Sequence, residues 1–288
     1  MSFKTKLPTI EEMLEAGLHF GHPVRRKNPL MDKYVYAVEK KNSIIDLYQT
    51  EQKLKSALDF LYEIAKSGKQ IVFVGTKRQA AERVAEAAVK AGALFVNERW
   101  LGGTLTNFNS VKGNCDTLKE LEEGLKTNKF DKYTKKEKLL IARKIEKLET
   151  LVGGIRDIRK YPGALVIVDS RRERTAIREA QALNIPVVAL IDTNSDPRLV
   201  DYAVPGNDDA MKAITMFLAV VSDVIAEGYA NQKVEKTEDA VKVETPKVAV
   251  KPVEAVKVEA KPVETAKAKK PTKAALKSTA KKPIKKSK

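Results

Sequence analysis

The chain has one cysteine, Cys115, among 288 residues. A lone thiol forms no internal disulfide and supplies no cysteine-based zinc or iron–sulfur site. Histidine is nearly as scarce, with only His19 and His22, and aromatic residues make up 6% of the chain, none of them after Tyr229. The longest apolar runs are short segments such as PVVALI, far below the roughly 20 residues needed to cross a bilayer, so no integral membrane protein is expected. The opening MSFKTKLPTIEEML has no apolar stretch of signal-peptide length, and a reducing cytoplasm is the expected setting. The phosphate signatures GxxxxGK[ST] and GxGxxG are missing, as are a nucleophile-elbow pattern and any Ser/His/Asp order. A standard nucleotide cradle and a hydrolytic triad are therefore not expected.

Positive charge is plentiful. Fifty-four Lys and Arg against 38 Asp and Glu give +16 and a pI near 9.6, which favours a polyanionic partner. Residues 233–288 hold 17 Lys and 7 acids, so they carry +10 and leave +6 for residues 1–232. That last segment reduces to Lys, Ala, Val, Glu, Pro and Thr, with the near-repeats KPVEAVKVEA and KPVETAKAKK. Such a composition buries too little apolar area to offset its ordering entropy, so a disordered tail is expected over 233–288. Its final part, residues 266–288, has 10 Lys and no acid, suiting either a solubilising extension or a non-specific nucleic-acid contact.

Within the body, continuous apolar runs at 70–75, 93–97, 164–169 and 186–192, and a weaker one at 201–205, read as strands covered on both faces. Between them lie helical patterns at 50–66, 77–91 and 174–183, with a last helix capped by Asn207 or Asp208 and ended by Gly228. This alternation predicts an α/β fold, a parallel sheet with helices on both faces. Residues 104–152 break the rhythm. Val111, Cys115, Leu118, Leu121 and Leu125 form one seam at spacings of 3 and 4, and Ile141, Ile145, Leu148 and Val152 form another, which predicts an inserted antiparallel coiled-coil hairpin. Thr134 and Glu137 mark the start of its second helix.

The candidate RNA-binding residues lie in loops. Arg25, Arg26 and Lys27, followed by Asn28, sit between Pro23 and Pro29, where adjacent cations cannot neutralise one another and suit a phosphate backbone. Lys77 and Arg78 follow the first central strand at a helix start, where free N–H groups favour anions. Arg99, Trp100 and Asn107 occupy NERWLGGTLTNF; the indole either stacks on unpaired bases or plugs the junction between sheet and hairpin. His19 and His22, with Asp192 and Asp196 at a strand end, could ligate a metal, but Gly21 and Pro23 argue against a continuous helix that would fix both rings, which favours structural or RNA-packing histidines. Asp169 stands where α/β enzymes place catalytic groups, yet Arg171, Arg172 and Arg174 beside it favour internal ion pairing.

The ordered motifs HFGH (19–22) with RRKNP, FVGTKRQA (73–80), RWLGGTLTNF (99–108), TKKEKLL (134–140), VGGIRD (152–157), IPVVALIDTNSDP (185–197) and VPGNDDA (204–210) resemble the bacterial small ribosomal subunit protein two family. The resemblance runs from about Ile10 to Gly228. It implies a flavodoxin-like α/β body with a protruding hairpin, bound to small-subunit rRNA and neighbouring ribosomal proteins, and helping to hold ribosomal protein one. It further implies no enzymatic activity and no cofactor, membrane partner or homo-oligomer. The family's contact regions fall on Arg25–Asn28, Gly75–Arg78, Arg99–Gly103 and Thr193–Pro197. A nucleotide- or phosphosugar-binding α/β enzyme is the competing expectation.

Overall fold

The computed structural model describes residues 3–127 and 129–241, with side chains to residue 232. The first helix, α1 (Ile10–Glu15), starts at a capping box in which the Thr9 hydroxyl accepts the Glu12 N–H and the Glu12 carboxylate accepts the Thr9 N–H. Three short strands follow, β1 (Phe20–Pro23), β2 (Val35–Glu39) and β3 (Asn42–Ile45), forming an antiparallel sheet in the order β1-β3-β2. The sequence patterns did not point to this sheet. Gly21 and Pro23 disguise β1, and the β2–β3 turn places Lys40 and Lys41 at φ +47° and +68°, where tight hairpins ordinarily use Asn or Gly.

The main sheet is the expected one. After α2 (Leu47–Lys66), capped by Asp46, come β4 (Ile71–Val74), α3 (Ala81–Ala91) and β5 (Leu94–Val96). Beyond the α4 (Phe108–Lys126) and α5 (Lys135–Val152) pair lie β6 (Ala164–Val168), α6 (Arg174–Ala182), β7 (Val187–Ile191), β8 (Tyr202–Pro205) and α7 (Met211–Val241). The five strands pair in parallel in the order β5-β4-β6-β7-β8. The direction in which strands are added therefore reverses between β4 and β6, the place where open α/β sheets put their sites.

Alternate residues of each strand face opposite sides. Ile71, Phe73, Val166, Val168, Val188 and Leu190 pack with α2, α3 and α7, while Val72, Val74, Leu165, Ile167, Ala189 and Ile191 pack with α6 and the roots of α4 and α5. Both faces are dry, which is why these strands read as unbroken apolar runs.

Two expectations change at α7. Gly228 does not end it: a Cβ there would lie 2.6 Å from Ala65 Cβ and 3.0 Å from the Tyr62 carbonyl, so the glycine permits close contact with α2 while the helix runs on to Val241. The helix thus enters the segment expected to be disordered, whose remainder, 242–288, lies outside the described residues. Met211–Gln232 is also long and apolar enough to cross a membrane by composition, at mean hydropathy 1.5 over an interrupted pattern that a search for continuous runs overlooks. In the fold, Ile214, Phe217, Leu218, Val221 and Ile225 use that apolarity to pack against the sheet, α2 and α3.

In the helix pair, Val111, Cys115, Leu118 and Val152 are buried, and Ile145 and Leu148 pack against the same core. The Thr134–Glu137 capping box is present. Leu125 departs from its expected seam and is 49% exposed, so the buried contact weakens toward the tip.

Candidate nucleic-acid interface

Four loops meet at the carboxyl ends of β4, β6, β7 and β8, and the small sheet leans on them. Gly21 makes this approach possible, since a Cβ there would come within 2.7 Å of Thr193 Cγ2. The His22 N–H donates to Thr193 Oγ1 at 2.9 Å and the Asn28 N–H donates to the Thr193 carbonyl at 2.8 Å, which ties the basic loop to the end of β7.

Within that loop the charges divide. Arg25 and Arg26 are exposed. Lys27 pairs with Asp32, and the Asn28 side chain accepts the Leu30 N–H at 3.0 Å to start a 3-10 turn. The expected cluster of three unneutralised cations is therefore two exposed arginines, unpaired among the described residues, on a base held by Lys27 and Asn28.

Lys77 departs further from expectation. α3 begins at Ala81 without a side-chain cap, and the GTKR turn precedes it as a loop. The Lys77 ammonium lies 2.6 Å from Asp209 Oδ1, 2.7 Å from Asp208 Oδ1 and 3.7 Å from Asp169 Oδ2. Burial works against its charge, but hydrogen bonds to Asp208 and Asp209 outweigh that and hold its pKa above the ordinary lysine value. Such an ammonium is an internal bridge between β4 and β8, and phosphate would meet carboxylates there. Arg78 beside it is exposed.

The acids at this end dominate their surroundings. Burial, with repulsion from Asp169 and Asp192, pushes the Asp208 carboxyl up to about 7 against the pull of Lys77, and its Oδ2 has no hydrogen-bond partner among the described residues. His22 donates from Nδ1 to Asp192 Oδ2 at 2.8 Å, and this bond, opposed by burial, raises the imidazole pKa. Its Nε2 lies 3.5 Å from Asp209 Oδ2. Ligand atoms of His22, Asp192 and Asp209 all fall within 4.8 Å of one another, a mixed nitrogen–oxygen donor set with the chemistry to hold a divalent cation. His19 is outside that set, its ring tilted 42° against that of Phe20 with centroids 3.9 Å apart, and Asp196 pairs instead with Arg198 at 3.0 Å. Asp169 accepts the backbone N–H groups of Arg171 and Arg172, both at 3.0 Å, so the arginine ion pairing expected around it is replaced by a backbone turn.

One helix positions two of the candidate loops through buried acids. Glu173, preceding α6, accepts the Thr76 N–H and hydroxyl, and burial raises its pKa over the opposing effect of those bonds. Glu179, within α6, accepts the Trp100 indole N–H at 3.2 Å and the N–H groups of Gly103 at 2.8 Å, Leu105 at 2.9 Å and Thr106 at 3.3 Å. Burial opposes the Glu179 charge, yet these donors together hold its pKa below the usual carboxylate range. Trp100 is buried at 7% exposure, so it fills the junction of sheet and hairpin and presents no stacking surface. Arg99 and Asn107 are exposed on the same loop. The sequence patterns did not single out Glu179. Its signal was an acid beside the buried positions Ala176, Ile177 and Ala180, where an unpaired carboxylate would be costly.

Residues 13–228 match the family described as Ribosomal protein S2. The chain is 48% identical over 220 residues to small ribosomal subunit protein uS2c of Cyanophora paradoxa, covering 76% of this chain and 94% of that protein. Against small ribosomal subunit protein uS2 of Maridesulfovibrio salexigens it is 42% identical over 246 residues, covering 85% and 94%. Against uS2 of Nitratiruptor it is 44% identical over 220 residues, covering 76% and 82%.

Proposed function

Since the chain belongs to the ribosomal protein S2 family and is a non-enzymatic structural constituent of the small ribosomal subunit, we propose that its body grips small-subunit rRNA through exposed loop residues. Arg25, Arg26, Arg78, Arg99 and Asn107 make the contacts in this reading. Lys27, Asn28, Lys77 and Trp100 hold the loops that carry them. The observation behind the reading is the contrast between the two groups: the arginines are exposed without an acidic partner among the described residues, whereas Lys27 and Lys77 are neutralised internally. Family membership makes it a cytoplasmic component of the translation machinery and sets aside the nucleotide- or phosphosugar-binding enzyme.

The strand order supports a flavodoxin-like body over 1–232. The α4–α5 pair is proposed as an antiparallel coiled-coil arm over 104–152. Neighbouring small-subunit proteins, ribosomal protein one among them, suit the small sheet, where Phe20 is 51% and Tyr36 77% exposed and an apolar surface favours protein over polyanion.

Ultraviolet cross-linking within assembled small subunits, with the cross-linked peptides mapped, tests the RNA reading. Peptides containing Arg25, Arg26, Arg78 and Arg99 should carry RNA. Cross-links confined to α4 and α5 would move the RNA face to the arm.

A further inference from the structure

At the opposite end of the sheet a cavity of about 750 Å³ opens at the amino ends of β4, β6 and β7. We infer that it is a second RNA contact, taking an unpaired nucleotide of small-subunit rRNA with its phosphates against Lys69, Arg159 and Lys160 and its base against Tyr161. This rests on the reading that the chain binds that RNA.

Charge is the first argument. Lys69, Arg159 and Lys160 are exposed, and among the described residues no acid lines the cavity and none of the three makes an ion pair. The nearby acid Asp157 has its carboxylate engaged by Lys119 at 2.9 Å. Lys77, with three carboxylates around it, shows the contrary arrangement at the other end of the same sheet.

Shape and rigidity are the second. Ile64, Pro162, Ile185 and Pro186 give the cavity an apolar wall, and its size falls in the range of sites that enclose small ligands. The Tyr161 ring lies 4.9 Å from the Phe108 ring, tilted 41°, and remains 53% exposed, so an aromatic surface is steadied on one neighbour and open to another. The Gln70 side chain fixes the segment bearing the cations, with Nε2 donating to the Asp157 carbonyl at 3.0 Å and Oε1 accepting the Arg159 N–H at 2.9 Å. Gly163 keeps the wall close, since a Cβ there would meet Lys69 Cβ at 2.6 Å. An aromatic and apolar slot with a rim of cations alone matches a nucleotide, which joins a π-face to a phosphate.

The test measures binding of the full chain to small-subunit rRNA over a series of salt concentrations. Combining Lys69→Gln, Arg159→Gln and Lys160→Gln should flatten the plot of log affinity against log salt by about 0.7 for each single-strand phosphate that is no longer neutralised. Tyr161→Ala should weaken binding about fivefold or more with the slope unchanged, and Tyr161→Phe, which keeps the ring, should bind as the parent does. Melting curves confirm that each variant is folded, and the triple variant and Tyr161→Phe remain informative if Tyr161→Ala is not. Unchanged slope and affinity in the cavity variants, with an Arg25→Gln/Arg26→Gln variant weakened, overturn this inference and leave the loop reading standing. Absence of rRNA binding by the parent overturns both. Saturable binding of adenosine monophosphate that the cavity variants abolish, with rRNA affinity intact, would overturn it in favour of a free mononucleotide.

Discussion

The indole N–H of Trp100 donates to Glu179 Oε1 at 3.2 Å, closing a junction where α6, the 99–107 loop and the root of α4 meet. One buried carboxylate there collects the indole and three backbone N–H groups. The shape of a loop on one side of the protein is thereby set by a side chain from a helix packed beneath it.

Replacing that carboxylate by an amide should show its weight. Glu179→Gln keeps the volume but loses the charge and turns one acceptor into a donor facing N–H groups. A destabilisation of about 1.5–3 kcal/mol is expected, read as a fall in melting midpoint of several degrees. Because the Glu179 pKa is depressed, its contribution is present above the unfolded-state pKa and is lost as pH falls through the folded one. The gap between parent and variant should therefore narrow in acid.

Asp208 titrates in the opposite sense. Its carboxyl is pushed up to about 7, so the stability tied to its protonated form is fully present below the unfolded-state pKa and is lost as pH rises through about 7. Asp208→Asn should flatten the dependence of stability on pH between about 4 and 7, measured by denaturant unfolding at fixed pH values. The raised pKa of Glu173 adds slope of the same sign within this window, and that of His22 adds it only above about 6.5. An unaltered profile would mean that Asp208 is already ionised in acid.

Gly228 sets propensity against packing. Alanine is favoured over glycine by about 1 kcal/mol in a helix interior, but its Cβ would lie 2.6 Å from Ala65 Cβ. Overpacking of this kind costs about 1–3 kcal/mol, so Gly228→Ala should be neutral to destabilising and Gly228→Val clearly destabilising in thermal melts.

The five central strands were legible because burial on both faces leaves an unbroken apolar signature, as in IVFV at 71–74. The small sheet was not, since a hairpin turned by Lys40 and Lys41 carries no Asn-Gly signal and β1 is stabilised by Thr193 far along the chain. The candidate cations were likewise visible as residue types, but their partners were not. Lys77 meets Asp208 and Asp209 only after β4 and β8 come into one sheet, and Lys27 finds Asp32 only through the turn that Asn28 begins.

The arm needs a gentler excision than its sequence bounds suggest. Removing all of 104–152 would take Leu105, Val111, Cys115, Leu118 and Val152 out of the core. Replacing residues 122–144 with a short Gly-rich link should instead leave the body folded, because the side chains it removes beyond the root are largely exposed. Such a variant should keep most of its affinity for naked rRNA and sediment less stably with small subunits. If naked-rRNA binding disappeared while the body still melted cooperatively, the arm would be the main RNA contact.

The salt dependence of rRNA binding tests the central claim most directly. With Arg25, Arg26 and Arg99 all changed to Gln, the slope of log affinity against log salt should fall by up to about 0.9 for each phosphate that is no longer neutralised, with the melting midpoint unchanged because all three side chains are exposed. A slope and affinity equal to those of the parent chain would contradict the assignment of these loops to RNA.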